Sequence, residues 1–394
     1  MAPRTLLIPS FLDDHFPLLR HAFDSDCWQS VLLPPETGLA DLGLRYIHSE
    51  MCYPAILIAG QILRALGSGH YDPARCGVLV GQVGDECRGS CLIRLLRRAL
   101  DRAGYQATAL VSLNIRGIDR PDRLTLHPAM VGKALAAAVW GDALAVVRDQ
   151  TRPLEARPGA ALALWNEWVD ELGAQMAHVP SRREILRRCE EITDSFRRLD
   201  TIDRPVQDVA VVGEIYTKNC RLGNWGLRDY LAQNGCRVYA GGLTWQSLYF
   251  MDTRTLKGPA AHRAAYRAVR CAASALQQDL VDILRAGGFR TLPPLPRLKA
   301  ESEGLAPLNV TVADGWLIAA EAAGWARQGC RKILCVQPFA CLPGHIFGKG
   351  QYAALQRKLP GVRLVSVDYD ASTGEGTVQS RVRMLLDESM EPSF

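Results

Sequence analysis

Three cysteines stand where a thiolate could do chemistry. Cys52 lies in "SEMCYP", Cys87 in "GDECRGS" and Cys341 in "FACLPGH", each in a Gly/Pro-type turn at a strand end or helix start. Backbone N–H groups at such turns favour negative charge on sulfur. Thiolates are also the soft ligands that iron–sulfur clusters and zinc require. The three are far apart in the chain and follow none of the short C-x2-C spacings of ferredoxins or zinc ribbons. Spacing alone therefore leaves two readings open: a metal site assembled by the fold, or three buried apolar side chains beside turns. Cys91 follows Cys87 by four residues and would share a helix face with it. It is a further candidate ligand, with simple packing as the alternative.

The stretch "QPFACLPGHIFGKG" superficially suggests a phosphate-binding loop. A P-loop needs four residues before its Gly-Lys pair and then Ser or Thr for magnesium. Here three residues separate Gly344 from Gly348, and Gly350 follows Lys349. We expect no nucleotide to bind there. The glycines suit a different task, since Gly344 and Gly348 would let the backbone approach a cofactor and donate N–H groups. Candidate proton-handling groups are Glu50 and Glu86, just before two of the cysteines, and His345 and Lys349 just after the third. The alternatives are solvated loop carboxylates and a lysine that caps its own turn.

These side chains must be positioned by a sizeable fold. The chain has 394 residues, 48% hydrophobic and 22% charged, enough for two domains with their own cores. Its net charge of +5 is spread along the sequence, which argues against a dedicated nucleic-acid surface. The N-terminal "MAPRTLLIPSFLDDHF" lacks the apolar core of a signal peptide, and no uncharged apolar stretch reaches the roughly 18 residues of a membrane span. We expect a cytoplasmic protein with no membrane partner. In a reducing compartment, twelve cysteines point to metal binding or catalysis before disulfides. Cys189, Cys236, Cys271 and Cys330 lie in periodic runs, where cysteine behaves as a small apolar residue.

Apolar runs alternate with helical patterns from "RTLLIPS" through "CGVLVGQ" to "ATALVSLN", and again from "DVAVVGE" through "RKILCVQPF" to "VRLVSVDYD". That alternation predicts an α/β chain with two Rossmann-like parallel-sheet domains and helical insertions. We expect an N-terminal α/β domain over 1–202, including a helical region over about 128–202. We expect a C-terminal α/β domain over 203–394, with the boundary in "DTIDRPVQD". The spacing also predicts a helix over Trp225–Gln233.

The segments "HSEMCYPAILIAGQ", "GQVGDECRGSCLIRLLRRALDRAGY", "VVGEIYTKN", "DGWLIAAEA", "QPFACLPGHIFGKG" and "VDYDASTGEGTVQSRVRMLL" together resemble the superfamily of 2-hydroxyacyl-CoA dehydratases, benzoyl-CoA reductases and double-cubane cluster proteins. They are most similar to the branch associated with, or fused to, the ATP-dependent 2-hydroxyglutaryl-CoA dehydratase activator. The resemblance runs from about residue 5 to residue 386. It implies two Rossmann-like domains with a cluster between them, 4Fe–4S or the 8Fe–9S double cubane, on Cys52, Cys87 and Cys341. It further implies low-potential electron transfer to a substrate, as a dehydratase- or reductase-like component. The implied partners are an ATP-dependent activator carrying its own cluster, and a second subunit in a homodimer or related heterodimer. Two other functions stay open: a cluster-carrying scaffold or electron carrier without turnover, and a structural zinc or thiol protein.

Overall fold

The computed structural model describes residues 3–82, 87–114, 127–254 and 260–387. Among the described residues, eight strands form two four-stranded, wholly parallel sheets. The first contains β1 (Arg4–Ile8), β2 (Trp28–Leu32), β3 (Cys76–Gln82) and β4 (Ala109–Asn114), in the order β2-β1-β3-β4. The second contains β5 (Gln207–Gly213), β6 (Cys236–Ala240), β7 (Lys332–Pro338) and β8 (Arg363–Tyr369), in the equivalent order β6-β5-β7-β8. The protein is thus an α/β chain of two parallel-sheet units, as the alternating pattern predicts.

The inner strands read as continuous apolar runs because helices cover both faces of a parallel sheet. In "QDVAVVG" the last five residues are buried, and in "KILCVQP" the last six are. Helix Tyr53–Gly67 covers the first sheet, with Ile56, Ala59 and Ile62 against Val78 and Val80. Helix Gly315–Arg327 covers the second, burying Trp316 and Trp325 with Ala210 and Ile333.

A third layer is helical. Pro128–Thr151, Ala160–Gln175 and Arg182–Arg197 form one core with Leu276, Leu280 and Leu284 of the long helix Ala260–Ala286. This core therefore draws on both halves of the sequence. Segment Pro128–Leu154 is long and apolar enough to cross a membrane, its most apolar 18-residue window having a mean hydropathy of 1.6. It carries Lys133, Asp142, Arg148, Asp149 and Arg152, of which Asp142, Arg148 and Asp149 are buried against the protein.

The expected helix over Trp225–Gln233 starts later, at Leu227. Trp225 (φ 51°) and Gly226 (φ 69°) are both left-handed, which breaks the helical backbone before it can begin.

Strand order places the functional end of each sheet. From β1 the chain winds outward to β2 on one side, and from β3 to β4 on the other. A crevice opens between the two inner strands at their carboxyl ends, where ligands bind in open α/β sheets. The two crevices meet. The loop after β1 touches the segment after β5, where Arg221 N–H donates to Asp13 at 2.5 Å. The loop after β3 touches the loop after β7, through Arg88 and the Phe339 carbonyl at 2.6 Å.

Candidate metal centre

Each of the three cysteines precedes a helical turn at this junction. Cys52 is the extended N-cap of helix Tyr53–Gly67, and Pro54 fits the first turn because it needs no N–H partner there. Cys87 is the N-cap of a short 3-10 turn, Arg88–Cys91, that leads into helix Leu92–Arg102. Cys341 follows the end of β7, and its carbonyl accepts the His345 N–H at 2.9 Å. Cys52 lies within electrostatic reach of both Cys87 and Cys341. All three are partly buried, and no disulfide forms among the described residues.

The turn at Cys341 is unusual in its backbone. Ala340 has φ 56°, the left-handed region that residues with a Cβ rarely adopt. Phe339 N–H donates to the Tyr369 carbonyl at 2.8 Å and Cys341 N–H to the Pro338 carbonyl at 3.0 Å. These bonds fix the turn that lifts Cys341 off the end of β7.

The electrostatics disfavour bare thiolates. Burial pushes the Cys52 thiol up to about 11, against the pull of the Ala55 N–H and the Arg88 guanidinium. Cys341 is raised further, first by burial and then by Glu214. Without a metal beside them both sulfurs hold their protons at neutral pH, which is unlike an activated cysteine nucleophile. A metal reverses this balance, because a coordinating thiol is deprotonated outright.

Glu214 lies within electrostatic reach of Cys52 and Cys341, and Asp314 within reach of Cys341. Glu214 caps the turn after β5, and its carboxylate accepts the N–H groups of Tyr216 and Thr217, each at 2.9 Å. Gly213 makes this possible. At φ 128° its position admits no side chain, since a Cβ there would lie 1.9 Å from the Val336 carbonyl oxygen. Burial raises Glu214, and burial together with Glu214 raises Asp314 to about 7. Lys218 and Glu321 form a buried ion pair nearby, at 2.9 and 3.1 Å. The position of Glu214 was legible, since it occupies the same strand-end place as the cysteines. Sequence reasoning passed over it by following residue type. Arg88 was missed for the same reason, although it adjoins Cys87.

The other candidates fall in different places. Cys91 is exposed, and its thiol bonds to the Arg88 carbonyl at 3.2 Å. The Glu50 side chain is exposed, while its carbonyl accepts Arg88 Nη1 at 2.7 Å. Glu86 lies outside the described residues. His345 contacts the Cys341 carbonyl through Nδ1 at 3.0 Å, which places a proton on that nitrogen, and its Nε2 is 3.5 Å from Asp368. Lys349 pairs with the same Asp368 at 3.1 Å, and Gln337 donates to it at 2.6 Å. Gly344 and Gly348 pack tightly inside the C-terminal unit. A Cβ on Gly344 would lie 2.7 Å from the Gln337 side chain, and one on Gly348 would lie 2.7 Å from Cys335 Sγ.

Among the described residues, no three His, Cys, Asp or Glu side chains are grouped to share a single metal ion. A four-iron cluster makes a different demand, since each thiolate takes its own iron. The donor set at this junction, three sulfurs on turns rich in backbone N–H, fits such a cluster. No family model and no curated protein matches the chain.

Proposed function

We propose that Cys52, Cys87 and Cys341 hold an iron–sulfur cluster between the two sheet units, and that the chain passes low-potential electrons to a substrate as a 2-hydroxyacyl-CoA dehydratase- or reductase-like component. The observation that carries this reading is the convergence of three cysteine-bearing turns, distant in sequence, on the facing carboxyl ends of two sheets. Three protein ligands on four irons leave one iron open to substrate, and a bound cluster would supply one-electron reduction there. The chain's own residues contribute the pocket. The Arg88 guanidinium offsets negative charge beside Cys52, and buried Asp314, near neutrality in its titration, holds a proton close by.

The electron source on this reading is a separate ATP-dependent activator with its own cluster. Phe339, Leu342 and Ile346, 58%, 46% and 45% exposed, flank Cys341 and offer an apolar surface for a covering protein. A homodimer or related heterodimer in the cytoplasm completes the proposal.

The test is anaerobic purification with iron, sulfide and zinc analysis. A brown protein absorbing broadly near about 400 nm, with iron and sulfide in matching amounts, is the expected result. A colourless protein with one zinc per chain would sink the proposal. Turnover is then sought with activator, ATP and acyl-CoA candidates, and reduction without turnover would leave an electron carrier.

A further inference from the structure

One side chain ties together all three cysteine turns. Arg88, next to Cys87, donates from Nη1 to the Glu50 carbonyl at 2.7 Å and from Nη2 to the Phe339 carbonyl at 2.6 Å. Glu50 is two residues before Cys52, and Phe339 is two residues before Cys341. The second bond spans 251 residues and crosses from the N-terminal to the C-terminal sheet unit. We propose that Arg88 is a positioning residue, a latch whose forked guanidinium sets the separation of the Cys52 and Cys341 turns across the crevice.

The chemistry of the fork supports this role. Guanidinium is planar and presents several N–H donors in fixed directions, so two of its nitrogens can hold two carbonyls at a set distance and angle. An ammonium is a point charge on a flexible stem and cannot reproduce that span. Each captured carbonyl lies upstream of a cysteine by the same two residues, so the latch acts on equivalent points of both turns. On the C-terminal side it acts where restraint is needed. The peptide it grips leads directly into Ala340 at φ 56°, and that conformation persists only while its surroundings hold it. Phe339 N–H, bound to the Tyr369 carbonyl, anchors the other edge of the same residue. The latch itself requires no metal, and only the iron arm of its test rests on the cluster reading.

The test uses the full chain carrying Arg88→Gln or Arg88→Lys. In metal-free protein, hydrogen exchange is read at the amides of Met51 and Cys341, with amides of β5 and β7 as the internal control. We expect both reporter amides to exchange faster by about tenfold or more in both variants, with the sheet amides unchanged. In protein loaded anaerobically, iron loss to a chelator should accelerate in both variants. Wild-type exchange at either reporter amide would overturn the latch. So would restoration of wild-type behaviour by lysine, which would show that charge alone matters. If the exchange result holds and no iron ever binds, the latch stands and the cluster proposal fails. If iron binds and leaves at the wild-type rate in both variants, the latch is wrong and the cluster proposal survives.

Discussion

Two seams join the halves of this protein, and they are built on opposite principles. In the ionic seam, Asp14 of the loop after β1 meets Arg148 and Asp149 of helix Pro128–Thr151 and Arg228 of helix Leu227–Gln233. Arg228 Nη1 reaches Asp14 at 2.8 Å and Asp149 at 3.0 Å, while Arg148 Nη2 binds Asp149 at 2.7 Å and Arg148 Nη1 binds Asp14. Burial alone would raise Asp14, yet the two arginines hold its carboxyl down to about 2. Every charge there has a partner of opposite sign. In the cysteine seam the buried groups are raised thiols and raised carboxylates, with Arg88 the cation that bridges the turns. The first seam is electrostatically complete and holds the halves together. In the second, burial keeps thiols and carboxylates raised despite the nearby cations Arg88 and Lys218.

That contrast can be broken by substitution. The largest effect should come from the cysteine seam when loaded. Serine at Cys52, Cys87 or Cys341 should lower bound iron to a small fraction of wild type, because an alkoxide is a harder and poorer ligand. Serine at exposed Cys271, or alanine at buried Cys189, should leave iron unchanged. Equal iron in all five variants would remove the three-cysteine site. In the ionic seam, Arg228→Met leaves Asp14 and Asp149 with Arg148 alone, and should cost about 3–5 kcal/mol of unfolding free energy in urea. A loss below about 1 kcal/mol would mean that water already compensates the seam.

A smaller, pH-dependent effect should come from the edge of the ionic seam. Burial raises Asp13 to about 6. A carboxyl raised in the folded state favours its protonated form there, so it costs nothing below about pH 4 and its full penalty above about pH 6. Asp13→Asn keeps an acceptor for the Arg221 N–H and removes the charge. Its stability relative to wild type should therefore climb between pH 4 and 6, reaching about 3 kcal/mol at most. A flat difference across that window would contradict the burial argument. The smallest effect should be at Lys349, whose pairing with Asp368 is exposed. Lys349→Met should change stability by less than about 1 kcal/mol and leave no ATP affinity to lose. Tight ATP binding by the wild-type chain, abolished in this variant, would reinstate a nucleotide loop.

Much of the fold was legible because parallel strands covered on both faces must be apolar throughout, and "DVAVVG" and "KILCVQP" advertise this. Cys341 was legible as a turn residue because Pro and Gly follow it closely. The Trp225 break was not, since a tryptophan gives no local sign of a left-handed backbone. The tight packing of Gly344 and Gly348 against Gln337 and Cys335 was also hidden, because it depends on which strand lies beneath them.

By itself the sequence determined the alternation of strand and helix, the two-unit α/β architecture and the placing of Cys52, Cys87 and Cys341 in turns at helix starts or strand ends, because these follow from local periodicity and turn chemistry. Only the tertiary structure decided that the carboxyl ends of the two sheets face each other, that Glu214 and Asp314 come within electrostatic reach of Cys341, and that Arg88 grips a carbonyl 251 residues away. The physical reason is range. Hydrophobic periodicity and turn preference act over a few residues. Charge and hydrogen bonding across a crevice depend on distances that exist only once both sheets have folded and docked.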